Sequence, residues 1–98
     1  MFDLSLIVGF DWDGGNARKN EKHGVNQSEA EEVFFNQPLL LLDDSRHGGQ
    51  ESRFHALGKT HGGRTLHITF TLRADDTLIR VISARIADSS REARSVAR

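Results

Sequence analysis

From Thr65 to Arg73 the chain alternates without a break. Leu66, Ile68, Phe70 and Leu72 fall on one side, and Thr65, His67, Thr69, Thr71 and Arg73 on the other. A period of two is the pleat of a β-strand with one face in a core and one face polar. Leu78–Ala84 follows as a strand with apolar residues on both sides, and Asp75-Asp76 between the two predicts a hairpin turn. Upstream, Leu39–Asp43 and Arg53–Gly58 read as strands. They are separated by the polar loop Asp44–Gln50, with its Gly48-Gly49 pair, and Arg53–Gly58 is followed by a turn at Gly62-Gly63. Leu6–Trp12 is apolar and β-branched enough for a short N-terminal strand.

The pattern changes between these strands. Asp13 is placed to cap a short polar helix running to about His23, with Gly24 as its left-handed stop. Asn26 and Glu29 have the spacing of a capping box, and Ala30, Val33 and Phe34 then share one face. A second helix is therefore expected over Gln27 to about Asn36, ended by Pro38. Asp88 or Ser89 is placed to cap a last short helix, Ser90–Val96. The expected fold class is α+β, a curved antiparallel β-sheet with N-terminal helices packed on it and a short C-terminal helix.

Composition narrows the picture. A chain of 98 residues fits a single domain, 1–98. There is no cysteine, so neither a disulfide framework nor a thiolate metal site is available. The longest apolar run is Leu39–Leu42, far short of the ~20 residues of a membrane span. No basic segment precedes the N-terminal apolar stretch, so a soluble, cytoplasmic protein with no membrane partner is expected. Residues 1–49 carry four Lys and Arg against nine Asp and Glu, whereas residues 50–98 carry nine against five. Eight of those nine cations are arginines, whose fork suits phosphate, so the second half is the expected nucleic-acid surface, unless it is simply solvated.

Three stretches together resemble the BrnT family. The first runs through Phe10-Asp11-Trp12-Asp13, Asn20, Lys22-His23-Gly24-Val25, Glu29-Ala30 and Val33-Phe34 to Pro38. The second is Glu51-x-Arg53, Leu57-Gly58 and Gly63-Arg64-x-Leu66, running into Phe70-Thr71-x-Arg73. The third is Arg80-Val81-Ile82-Ser83-Ala84-Arg85. The resemblance covers about residues 10–85. It implies a RelE-like fold, a toxin of a type II toxin–antitoxin system and RNA cleavage that arrests translation. It further implies neutralisation by a DNA-binding BrnA-like antitoxin, in a 2:2 complex that represses its own operon. Two departures stand out. The family's basic residue near Asn16 is missing, and Arg91-Glu92-Ala93-Arg94 is offset from a C-terminal pattern that usually includes an aromatic residue.

RNA cleavage without a metal needs a base for the 2′-hydroxyl, an acid for the 5′-oxygen and positive charge at the phosphate. The five histidines are scattered, with no metal-ligand spacing, so no metal and no cofactor is expected. The candidate catalytic residues are Lys22, His23, Arg64, Arg80 and Arg85. The candidate RNA-binding residues are Arg53, Lys59, His67 and Arg73. His23 is either an acid–base group or a cation at a helix C-terminus. Arg80 shares a strand face with Leu78 and Ile82, so a phosphate or a carboxylate such as Glu51 or Asp75 must compensate it. Arg85 shares the opposite face with Ser83. His55 and His61 are weaker candidates, and His47 lies in a loop. Glu51 is placed to orient Arg53 or to act as a base, while Trp12 and Asp13 read as a buried ring and a helix cap. The alternative function is a non-catalytic module that binds nucleic acid or an antitoxin, as a degenerate toxin homologue would.

Overall fold

Capping groups start both helices of the computed structural model, which describes residues 3–44 and 52–87. Asp13 Oδ1 accepts from the N–H groups of Gly15 and Asn16 at 2.8 and 3.0 Å, and Asn16 Oδ1 accepts from Asp13 N–H at 2.7 Å. This reciprocal box lets α1 (Gly14–Glu21) begin on two glycines. The chain leaves α1 through Lys22 and turns at Gly24, whose φ of 78° is the expected left-handed stop. Asn26 and Glu29 form the second box and start α2 (Gln27–Val33). This helix ends short of Asn36, because Phe34 and Phe35 N–H bond the carbonyls of Glu31 and Glu32, three residues back, and so close the last turn.

One sheet holds every strand of the described residues, in the order β1-β5-β4-β3-β2. β2 (Leu40–Asp44), β3 (Arg53–Lys59), β4 (Thr65–Arg73) and β5 (Leu78–Ile86) pair antiparallel, as the sequence predicts. The sheet as a whole is mixed rather than antiparallel, because β1 (Gly9–Phe10) joins β5 in parallel. The expected strand Leu6–Trp12 is cut to these two residues. Before it, Leu4–Leu6 forms a 3₁₀ turn capped by Asp3; after it, the chain departs for α1. The expected helix Ser90–Val96, together with His47 and Glu51, lies outside the described residues.

The core occupies one face of the sheet. Phe54 and Ala56 of β3, Leu66, Ile68 and Phe70 of β4, and Ile79, Val81 and Ala84 of β5 are buried with Val25, Ala30, Val33 and Phe34. Phe34 meets Phe70 edge-on at 5.2 Å, and Phe70 stacks on Phe54 at 5.5 Å. Gly58 is where α2 comes closest, since a Cβ there would lie 2.9 Å from Val33 Cγ1.

Two features of β5 arrange everything else. Its pairing with β4 slips between Thr69 and Phe70, which oppose Ser83 and Val81 and leave Ile82 as the extra residue of a bulge. The slip moves the buried positions from Ile79 and Val81 to Ala84. Arg80, Ser83 and Arg85 consequently share the face away from the core, which corrects the expectation that Arg80 and Arg85 point oppositely. Beyond Ile79, the outer edge of β5 has no strand beside it among the described residues, and α1 satisfies it with amides. Asn16 Nδ2 donates to Val81 O at 3.1 Å, and Asn20 Oδ1 accepts from Ala84 N–H at 2.8 Å. This explains a helix whose buried residues are two asparagines and nothing apolar.

Candidate functional site

The strand face away from the core carries Asp44 of β2, His55 of β3, His67 and Thr69 of β4, and Arg85 of β5. Alternation puts each of them there, and pairing brings them side by side. His55 opposes Thr69 across the β3–β4 ladder, and His67 opposes Arg85 across the β4–β5 ladder. His55 Nδ1 lies 3.1 Å from His67 Nε2 and 3.2 Å from Thr69 Oγ1. On its other side, His55 Nε2 lies 3.3 Å from Asp44 Oδ2, with both side chains 26% exposed. The two imidazole rings are 5.2 Å apart and tilted by 35°. A carboxylate, two imidazoles and a hydroxyl thus form one polar chain on the sheet, with an exposed guanidinium at its end.

Arg53 is exposed and opposes Asp44, while Lys59 is exposed at the far end of β3. Arg73 is half-buried at the end of β4. All three lie on this same face by strand alternation. Leu40, Leu42 and Leu57 share it, so the histidines have an apolar flank as well. Thr71, another residue of this face, is buried, and its hydroxyl donates to Ser52 O at 2.7 Å.

Arg64 and Arg80 are engaged by carboxylates. Arg64 Nη1 lies 2.6 Å from Glu29 Oε2, and its Nη2 donates to Gly24 O at 2.9 Å. This ties the start of β4 to the head of α2 and to the turn that carries Lys22 and His23, both of which are exposed. Arg80 Nη2 lies 2.7 Å from Asp13 Oδ2, and its Nη1 lies 3.4 Å from Asp11 Oδ2. The compensating carboxylates are thus Asp11 and Asp13 rather than Asp75; Glu51 lies outside the described residues. The Asn16 backbone N–H and then the Arg80 guanidinium hold Asp13 below the usual carboxylate range. Asp13, through its hydrogen bond, raises Arg80 in turn.

The five catalytic candidates therefore do not meet at one point. Lys22, His23 and Arg64 gather around one turn, Arg80 sits beside the cap of α1, and Arg85 stands next to His67. Arg80 and Arg85 are roughly 16 Å apart along β5 at ~3.3 Å per residue. Part of the charge asymmetry of the sequence is used internally, since carboxylates of the first half hold arginines of the second. Trp12 is half-buried rather than buried, and its Nε1 donates to Glu31 Oε2 at 2.8 Å.

Sequence reasoning missed Asp44 and underrated His55. The available signal was that His55 and His67 both lie on the polar side of predicted strands, but only the pairing makes them neighbours. Among the described residues, no three His, Asp, Glu or Cys side chains converge as a metal site, and no helix is long and apolar enough to cross a membrane.

No curated protein matches the chain. A family profile does, over residues 12–91, and its family is described as "Ribonuclease toxin, BrnT, of type II toxin-antitoxin system". That match spans most of the chain and includes both helices, β2 to β5 and the histidine pair. The chain belongs to the BrnT family of ribonuclease toxins of type II toxin–antitoxin systems.

Proposed function

We infer that this chain is an endoribonuclease that cuts RNA on the polar face of its sheet without a metal and so arrests translation. The observation that carries the reading is the row His55–His67–Arg85 across three adjacent strands, in a chain of a ribonuclease toxin family. An imidazole moves protons near neutral pH, and a guanidinium beside it meets the charge that builds on the phosphate. Arg85 is the cation at the reacting phosphate. Arg53, Lys59 and Arg73 hold the phosphates on either side, and His67 belongs with the chemistry as well as with binding. Lys22 and His23 supply a second set of phosphate contacts or a proton donor from the turn that Arg64 secures. Arg64 and Arg80 act through the elements they tie down.

The family implies an antitoxin partner. The reading adds that the partner is BrnA-like and DNA-binding, that it covers the basic face with an acidic segment, and that a 2:2 complex represses the operon. Charge complementarity of that kind favours rapid, specific association.

Induced expression of the wild type should arrest growth. The purified protein should cleave single-stranded RNA in the presence of EDTA, leaving a 2′,3′-cyclic phosphate. Arg85→Ala should lose about 10²-fold in cleavage while keeping its circular dichroism spectrum. A harmless wild type whose synthesis is confirmed would replace this reading with that of a non-catalytic binding module.

A further inference from the structure

The hydrogen bonds around His55 fix where its protons sit. An ionised Asp44 only accepts, so His55 Nε2, 3.3 Å from Asp44 Oδ2, carries the proton of that bond. In a neutral imidazole the other nitrogen is then an acceptor. The single lone pair of His55 Nδ1 therefore faces His67 Nε2–H at 3.1 Å and is shared with the Thr69 hydroxyl at 3.2 Å. The same rule passes to the next ring. With its proton on Nε2, His67 has its lone pair on Nδ1, the nitrogen turned away from His55. Asp44 thereby sets the tautomer of a histidine it does not touch.

We propose that Asp44, His55 and His67 form a proton relay in which His67 Nδ1 is the general base of RNA cleavage, with His55 and Asp44 as its positioning residues. The inference rests on the ribonuclease reading above and names the base within it. The 2′-hydroxyl proton passes to His67 Nδ1 as the 2′-oxygen bonds to phosphorus. The bond from phosphorus to the 5′-oxygen breaks, and that oxygen leaves with a proton from water. The products are a 2′,3′-cyclic phosphate and a 5′-hydroxyl, and His67 returns its proton to solvent. The positive charge that His67 gains in this step is shared through His55 toward Asp44, much as a buried carboxylate steadies an imidazolium in a hydrolase triad. The other charged groups of this face are Arg53 and Lys59 on β3, Arg73 on β4, and Arg80 and Arg85 on β5. Arg80 is held by Asp11 and Asp13, so Asp44 is the carboxylate within hydrogen-bond distance of His55 that stabilises the protonated relay.

Two measurements on the intact protein test this. Nitrogen–proton correlation spectra of the imidazoles at neutral pH should show both His55 and His67 as the Nε2–H tautomer. In Asp44→Ala, which removes the acceptor of the His55 Nε2–H, His67 should shift toward the Nδ1–H form. In cleavage assays, His67→Gln should lower kcat by about 10²- to 10⁴-fold, and His55→Gln and Asp44→Asn by about tenfold or more. Affinity for an RNA blocked by a 2′-deoxy sugar at the cut site should stay within about twofold. The fall in wild-type rate at acid pH, where imidazoles protonate, should be absent from the residual activity of His67→Gln. Circular dichroism checks folding, and His67→Asn serves if His67→Gln is not folded. Undiminished cleavage by a folded His67 variant overturns the relay and leaves the ribonuclease reading standing, as does an Nδ1–H His67 in the wild type. A wild type that cleaves no RNA overturns both.

Discussion

The two faces of this sheet are made from alternate residues of the same strands, yet they are held by different forces. The face under α2 is stabilised by burial of Phe54, Leu66, Ile68, Phe70 and Val81 against Ala30, Val33 and Phe34. That attraction is non-directional and scales with the area removed from water. The opposite face is held by directional pairs, namely Asp44 with His55, His55 with His67, and Thr71 with the Ser52 carbonyl. These pairs add little to stability, because each exchanges a bond to water for a bond to protein. They do place protons at chosen atoms. In this chain one face makes the fold and the other carries the proposed chemistry, so the two should respond oppositely to mutation.

The largest expected effect is on the covered face. Phe70→Ala removes a fully buried ring that contacts both Phe34 and Phe54, and should cost about 3–5 kcal/mol, enough to unfold much of a domain this small. Urea titration checks it, and loss of toxicity should follow from loss of fold. His67→Gln should do the reverse, leaving the unfolding free energy from urea titration within about 0.5 kcal/mol of wild type while abolishing growth arrest. If both variants lost stability equally, the division between the faces would fail.

Smaller changes sharpen the boundary. Gly58→Ala sets a methyl group 2.9 Å from Val33 Cγ1 and should cost about 1–3 kcal/mol by overpacking α2. Asn20→Ala tests the sheet edge: Ala84 N–H would lose its buried acceptor, at about 1–3 kcal/mol, with hydrogen exchange rising first at that amide. The smallest effect belongs to Asp13, which is exposed. Its folded-state pKa is lowered, so its contribution to stability is present above its ordinary range and is lost as pH falls through the depressed value. Asp13→Asn keeps a capping side chain, so its thermal midpoint should depend less on pH than the wild type's below about pH 4.

Much of this was legible in the chain itself. Helix starts at Asp13 and Asn26, the stop at Gly24, the alternation of β4 and the turn at Asp75-Asp76 are local patterns, set by residues within a few positions of one another. The family resemblance was legible too, because it lies in the order and spacing of residues. The Gly62-Gly63 turn and the apolar face of α2 belong to the same class.

What the tertiary structure decided are the relations between distant residues. Pairing of β1 with β5 in parallel, amides of α1 on the free edge of β5, and Asp11 and Asp13 on Arg80 join residues far apart in the chain. The bulge at Ile82 is one residue of slip, yet it puts Arg85 on the face of Arg80 and beside His67. A period-two pattern says which residues share a face within one strand, but it does not say which residue of the next strand stands opposite. That second fact depends on register, and register brings Asp44, His55 and His67 into one chain of hydrogen bonds.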